Sequence, residues 1–178
     1  MIGKYLMKYD CAVITSFITK SEKNVNIFDN LDNHKALSAA ILYLKYGLIK
    51  VKGSYIENYL VENSIDVKEH TYFVISMNND VNFIENIVKI GELFCQNSVL
   101  IMEKGGENNY VFGTNYGEFP PYQSIDKKGN FSSNREAEMG KPFILEMFKN
   151  YQINSKYIIT KWGKPIVDYI ESKKTYGL

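Results

Sequence analysis

The sequence is poor in the residue types that most often build metal sites, disulfides and proton-transfer catalysts. Its 178 residues include only two cysteines and two histidines. A structural zinc site needs three or four Cys, His or carboxylate ligands, usually in pairs a few residues apart in the sequence. This sequence contains no such closely spaced pair of Cys or His residues. Cys11 and Cys95 lie far apart in apolar surroundings, which favours buried free thiols over a disulfide. We therefore expect no metal and no cofactor.

An excess of one charge and long apolar runs are also missing. Lys+Arg number 21 and Asp+Glu number 20, so the formal net charge is +1. Proteins that bind nucleic acid through its phosphates usually carry a basic excess, so we do not expect a nucleic-acid partner. No apolar run approaches the roughly 18 residues needed to cross a bilayer, and residues 1–10 lack the apolar core of a secretory signal. The sequence predicts a cytoplasmic protein with no membrane association.

Arginine is nearly absent as well. Arg135 is the only arginine among the 21 basic residues. A guanidinium group binds carboxylates and phosphates as a planar fork, which a lysine ammonium does not reproduce. If the protein holds an anion in this way, Arg135 is the residue that does it. The alternative is an arginine solvated in a polar loop.

What the sequence does contain is the hydrophobic patterning of a mixed α and β domain. Apolar residues at helical spacing predict a helix over about 30–46, capped at its C-terminus by Gly47. A second helix is predicted over 81–95, where Gly91 indicates a close approach to a sheet. Strands are predicted over residues 10–18, 48–56, 71–77, 98–104, 109–114 and 143–148, with a connecting loop at 57–69.

The order of these elements indicates the fold class. It reads β-α-β-β-α-β with one additional strand, which favours an α/β fold of the α+β type. We expect a two-layer sandwich in which helices cover one face of a mostly antiparallel sheet, as in the split βαβ plan. Residues 1–150 are predicted to form one domain with a long loop at 115–142. Residues 151–178 are predicted to form a C-terminal helical appendage packed on that domain.

Polar side chains gather near the predicted strand ends. Tyr55 and Glu57 close the second predicted strand and Glu69 opens the third, so they meet at one sheet end if the two strands form a hairpin. The candidate ligand-binding residues are Tyr55, Glu57, Glu69, His70, Gln96, Ser98, Asn115 and Arg135. The alternative is that amides and hydroxyls at strand ends serve the turns. The sequence thus predicts where a ligand binds but does not indicate a reaction.

The two histidines do not indicate a catalytic site. His34 falls in the first turn of the first predicted helix, and His70 lies just before the central strand. Neither belongs to a recognisable nucleophile motif, so we interpret both as structural or surface residues. Catalytic residues remain unassigned.

Short motifs resemble a bacterial family of small domains of unknown function that also has phage-encoded members. They are the strand Thr15-Ser16-Phe17, Gly53-x-Tyr55-x-Glu57 and Phe94-x-Gln96-x-Ser98, within a match over about residues 12–101. The chain departs from the family pattern at Cys95, where the family has glycine, and at His70, where it has serine. His34 or Lys35 stands at the arginine of the helix entry. The resemblance implies a bacterial or phage origin, hence a bacterial host cytoplasm, and no particular chemistry.

Three functional hypotheses follow. The first is a phage or mobile-element accessory protein that binds a host protein or sequesters a polar small molecule, blunting a host defence; its 14 tyrosines suit recognition surfaces. The second is an enzyme acting on a nucleotide or related metabolite, with Glu57 or Glu69 as general base and Arg135 as anion clamp. The third is single-stranded nucleic-acid binding through tyrosines exposed on the sheet.

Overall fold

A single antiparallel sheet organises the molecule. The computed structural model describes residues 2–16, 27–57, 65–115, 120–127, 143–147 and 156–175. Within them the strands are β1 (Cys11–Ile14), β2 (Gly47–Glu57), β3 (Ile65–Ile75), β4 (Ser98–Met102), β5 (Asn109–Gly113), β6 (Ile125–Lys127) and β7 (Phe143–Met147). Their order is β6-β5-β4-β1-β3-β2-β7, and every neighbouring pair is antiparallel.

The helices occupy the connections and the two ends of the described chain. They are α1 (Ile2–Leu6), α2 (Ile27–Tyr43), α3 (Phe83–Leu93), α4 (Lys156–Ile158) and α5 (Lys164–Thr175). A π-helical turn, Ile159–Gly163, joins α4 to α5 without a break. Within the described part of the chain, no helix combines the length and apolar character that a membrane crossing requires.

The predicted fold class is confirmed. The chain runs β1-α2-β2-β3-α3-β4, and the four central strands lie in the order β4-β1-β3-β2. Because β3 is antiparallel to both β1 and β2, it separates two parallel strands that α2 connects, which is the split βαβ arrangement. β7, within the strand predicted over 143–148, pairs with β2 at one sheet edge.

The central strand explains why the core has two parts. On β3, Tyr72 and Val74 contribute to the cluster beneath the helices, whereas Phe73 and Ile75 contribute to a cluster on the opposite face. A strand buried on both faces reads as a continuous apolar run, which is the pattern that predicted it. The cluster on the opposite face includes Leu6 of α1. The prediction that helices cover one face of the sheet is therefore incomplete.

The connecting loop predicted at 57–69 is partly wrong. β3 begins at Ile65, and the residue opposite Ile65 is Glu57 at the end of β2. Apolar and charged side chains alternate over residues 65–68. That alternation is more typical of a strand than of a loop, and here it lengthens the β2–β3 hairpin. In the long loop predicted at 115–142, the structure contains β6 and a turn at 120–124, while residues 116–119 and 128–142 lie outside the described residues.

The first long helix ends differently from the prediction. Lys45 takes the left-handed conformation, with φ 63°. Its amide donates to the Leu42 carbonyl and the Tyr46 amide donates to the Ile41 carbonyl, the two hydrogen bonds of a Schellman motif. Gly47, predicted as the cap, instead starts β2. A Cβ at Gly47 would lie 2.9 Å from the Met77 Sδ, so this glycine serves packing.

Two other glycines bring helices close to their neighbours. A Cβ at Gly91 of α3 would lie 2.8 Å from the Val99 side chain of β4, which confirms the predicted close approach to the sheet. A Cβ at Gly163 would lie 2.3 Å from the Ala39 carbonyl oxygen of α2. The π-helical turn therefore rests directly on the α2 backbone, and Ile170 of α5 is 1% exposed within the core.

Candidate functional site

The structure separates the eight predicted site residues into groups. His70, Gln96, Ser98 and Asn115 lie among residues whose side chains are described. The strand register alone places Tyr55, Glu57 and Glu69. Arg135 lies outside the described residues.

The predicted hairpin between the second and third strands exists, but it does not bring Glu57 to Glu69. Glu69 pairs with Gly53, whereas Glu57 pairs with Ile65 at the end of the hairpin. Four residues of an extended strand span about 13 Å, so the two glutamates occupy well-separated positions. The prediction failed because β3 begins earlier than expected, which places Glu69 and His70 inside the strand.

The end of β1 instead brings together both histidines of the chain. His34, on α2, is 3% exposed, and its ring stacks on Tyr72 of β3 with centroids 4.1 Å apart and planes 9° apart. The His70 ring lies 6.4 Å from the His34 ring, at a tilt of 50°. We call the group formed by Ser16, His34, Lys50, His70 and Tyr72 the β1-end site.

Hydroxyl groups complete this site at the point where β1 stops. The Thr15 Oγ1 donates to the His70 carbonyl at 2.9 Å, which ties the end of β1 to β3. Ser16 is fully buried, and its hydroxyl has no hydrogen-bond partner among the described residues. Ile14 pairs with Tyr72, so a continuation of the same register places Ser16 opposite His70.

The electrostatics of the site keep His34 uncharged. Burial lowers the pKa of His34 to about 3, and coulombic interactions with Lys50 and His70 act in the same direction. The residue opposite Tyr72 on β2 is Lys50, which places this ammonium group beside the stacked rings. At neutral pH the site therefore presents a neutral imidazole next to a lysine.

The polar residues at the start of β4 have local structural roles. The Thr114 Oγ1 donates to the Gln96 carbonyl at 2.6 Å, and the Gln96 Nε2 donates to the Phe94 carbonyl at 3.1 Å. Ser98 pairs with Gly113 in the β4–β5 ladder, and Asn115 follows β5 directly. These contacts favour the turn explanation for Gln96. Since β1 separates β3 from β4, His70 and Ser98 lie about 10 Å apart across the sheet.

The donor set in the described residues does not suit a metal ion. Across residues 2–16, 27–57, 65–115, 120–127, 143–147 and 156–175, no three His, Cys, Asp or Glu side chains gather closely enough to hold one. The chemistry available at the β1-end site is hydrogen bonding from hydroxyl and imidazole groups and attraction of an anion to Lys50.

Sequence reasoning missed His34 and Ser16 as members of one site, although a signal was present. His34 precedes Leu37 and Ile41 by three and seven residues, which places it on the buried stripe of α2. In the strand predicted over 10–18, Ser16 lies two residues after Ile14 and so falls on the same side. A polar residue on each of two buried stripes is a pattern that indicates a polar group inside the fold.

Comparison with protein-family models and with curated proteins finds no match for this chain. The functional conclusion therefore depends on the geometry of the site itself.

Proposed function

We propose that the protein acts by binding, as an accessory protein of a phage or mobile element that sequesters a polar, anionic small molecule at the β1-end site in a bacterial host cytoplasm. The observation that carries the proposal is the approach of the two histidine rings to 6.4 Å near the end of β1, where the buried Ser16 hydroxyl has no hydrogen-bond partner among the described residues. Burying a hydroxyl without a partner costs roughly 1–3 kcal/mol. A ligand atom that hydrogen-bonds to Ser16 would recover that free energy.

The pKa of His34 favours binding over proton transfer. A general acid or base works best when its pKa lies near the working pH, and that of His34 is about 3. A neutral imidazole stacked on Tyr72 still presents fixed hydrogen-bonding geometry to a ligand. The role that suits His34 is therefore orientation of a bound molecule.

The anionic character of the ligand follows from the Lys50 ammonium group at this site. Lys50 and His70 are both half-buried, so an anion held between them would be partly removed from water. A charge-assisted hydrogen bond is stronger in such surroundings than at an open surface. Nucleotides and related phosphorylated metabolites fit this requirement.

A thermal-shift screen with nucleotides, cyclic nucleotides and NAD-derived metabolites tests the proposal. A ligand at about 100 times its Kd adds roughly 2.7 kcal/mol, which is a rise of about 5–10 °C for a chain of this size. Lys50→Gln should abolish the shift. Lys104→Gln, in the exposed turn at the opposite end of the sheet, should leave it intact. A flat panel, or equal shifts in both variants, would contradict binding at the β1-end site.

The protein-binding form of the proposal has an observation of its own. Tyr157 and Ile158 of α4 are 70% and 41% exposed, and an exposed tyrosine beside an aliphatic side chain suits a protein interface. Capture of one stoichiometric partner from host lysate should be lost in Tyr157→Ser and kept in Lys156→Gln, the neighbouring charge change. Capture by both proteins alike, or by neither, would argue against this surface.

The other two hypotheses receive less support. On the sheet, the described tyrosines Tyr72 and Tyr110 are 0% and 7% exposed, so they are poorly placed to stack on bases. The enzyme hypothesis needs Glu57 or Glu69 beside Arg135. The register separates the two glutamates, and Arg135 lies outside the described residues.

A further inference from the structure

A cavity lies between α3, α5 and the turn at 120–124. Its volume is about 260 Å³, and none of the eight residues predicted from the sequence is among its described lining residues. Leu93 and Ile170 form the apolar part of its surface. We call this cavity the α3–α5 cleft.

The charged groups of the cleft are arranged unevenly. Glu92 is engaged through both of its oxygens, since the Lys89 Nζ lies 3.3 Å from Oε2 and the Tyr122 hydroxyl donates to Oε1 at 3.1 Å. Lys173 lies on α5 with its Nζ 5.3 Å from the centre of the Tyr169 ring. Among the described lining residues, two ammonium groups accompany one carboxylate, which gives this part of the cleft a net positive charge.

The aromatic groups of the cleft suit a planar ligand. Tyr122 and Tyr169 line it from different elements, the first from the 120–124 turn and the second from α5. A ligand ring can pair with either tyrosine ring in offset or edge-to-face geometry while it contacts the apolar side chains of the cleft. A cavity of about 260 Å³ lies just below the usual range of small-molecule pockets, roughly 300–1,000 Å³, so the ligand is about one ring in size.

We propose that the α3–α5 cleft is a binding site for a single-ring aromatic anion, with the anionic group at Lys173 and the ring against Tyr169 and Tyr122. The Lys89–Glu92 pair holds Tyr122 in place through the phenol hydrogen bond and so shapes the wall opposite α5. This site is separate from the β1-end site and does not depend on the function proposed for it.

Calorimetric titration with three small probes tests this assignment. Phenyl phosphate carries both features, inorganic phosphate has the charge without the ring, and phenol has the ring without the charge. We expect phenyl phosphate to bind at least tenfold more tightly than either of the others. Its affinity should fall as salt is raised, because the lysines are partly exposed to solvent.

The structure offers a matched control for the key lysine. Lys161 lies over the Tyr157 ring at 5.8 Å, which repeats the Lys173–Tyr169 arrangement outside the cleft. Lys173→Gln should weaken phenyl phosphate binding roughly tenfold, whereas Lys161→Gln should leave it unchanged. Tyr169→Leu should remove the advantage of phenyl phosphate over inorganic phosphate.

Three results would overturn the proposal. They are no binding of phenyl phosphate at millimolar concentration, equal affinity for phenyl phosphate and inorganic phosphate, and equal losses in Lys173→Gln and Lys161→Gln. Circular dichroism of each variant confirms that the comparison is made between folded proteins. Loss of binding in Lys173→Gln alone supports the cleft whatever the outcome of the nucleotide screen.

Discussion

Single residues in unusual backbone conformations determine how the helices of this protein end. Cys95 has φ 54°, in the left-handed region, and directly follows α3 and its C-cap residue, Phe94. The Cys95 amide donates to the Glu92 carbonyl and the Gln96 amide donates to the Gly91 carbonyl. This is a Schellman motif in which glycine is the usual residue. Cys95 is also exposed, so the prediction that both thiols are buried is wrong for this one.

Replacement of Cys95 by glycine should stabilise the protein. An L-residue in the left-handed conformation costs about 1–2 kcal/mol, and the greater freedom of glycine in the unfolded chain offsets about 0.5–1 kcal/mol. We expect Cys95→Gly to raise the free energy of unfolding by about 0.5–1 kcal/mol in urea denaturation. Cys95→Ala removes the thiol and keeps the strain, so it should show no comparable gain; equal gains would assign the effect to the thiol.

The buried histidine should make stability depend on pH. In the folded protein the pKa of His34 is lowered to about 3 from the ordinary 6.5. Between these values the unfolded chain binds a proton that the folded chain does not. The stabilisation is therefore fully present above pH 6.5 and is lost as the pH falls towards 3, at up to about 1.4 kcal/mol per pH unit.

Urea denaturation between pH 4 and pH 8 measures this dependence. His34→Phe keeps an aromatic ring against Tyr72 and removes the titrating group, so its stability should vary less steeply with pH. Agreement of the two proteins in stability at pH 8 would show that the substitution is tolerated. If the free energies of unfolding of the original protein and of His34→Phe change in parallel from pH 8 to pH 4, His34 is not the group responsible for the pH dependence.

At the scale of elements, the π-helical turn lies directly against the backbone of α2. A Cβ added at Gly163 would overlap the Ala39 carbonyl oxygen, and a backbone atom cannot move aside as a flexible side chain would. Gly163→Ala should lower the free energy of unfolding by about 1–3 kcal/mol. Amide exchange in residues 164–175 should also become faster, because α5 is displaced.

Gly3 provides the control for this substitution. A Cβ at Gly3 of α1 would meet nothing within 4 Å, so Gly3→Ala should change stability by less than about 0.5 kcal/mol. Unchanged amide exchange in α5 of Gly163→Ala would show that the tail helix adapts to the extra methyl group.

At the scale of the whole molecule, the structure predicts that the tail helix unfolds together with the sheet. Ile170 of α5 belongs to the same core cluster as Tyr72 of β3 and Ile87 of α3. Trp162, the only tryptophan of the chain, lies in the π-helical turn and reports on the tail. Tryptophan fluorescence and far-ultraviolet circular dichroism should therefore show coincident unfolding transitions.

Substitution of Ile170 tests this coupling directly. Ile170→Ala should lower the free energy of unfolding obtained from both transitions by the same amount, about 2–4 kcal/mol, because it leaves a cavity in the shared core. Ile158→Ala, at a position 41% exposed, should cost less than about 1 kcal/mol. A tryptophan transition at lower denaturant than the circular dichroism transition would describe a tail that unfolds independently.

Much of the fold could be predicted because hydrophobic periodicity reports burial along each element. The β-α-β-β-α-β order followed from apolar stripes such as that of α3 and from the apolar run of β3. The turn between β4 and β5 contains Gly105 and Gly106, whose φ values of 96° and 74° lie in the left-handed region that glycine favours. The start of β3 was missed because the alternation of apolar and charged residues at 65–68 is short, and only the pairing with β2 shows that this segment is a strand.

The same distinction between local pattern and long-range contact applies to the candidate site. By itself, the sequence determined which chemistry was available: two histidines, one arginine and few thiols, set in an α+β domain. Only the tertiary structure decided that His34 and His70 lie in one site and that Glu57 lies far from Glu69. Periodicity is local, whereas the register of β2 on β3 and the packing of α2 on the sheet depend on contacts between distant segments, so the arrangement of the site emerges only when the chain folds.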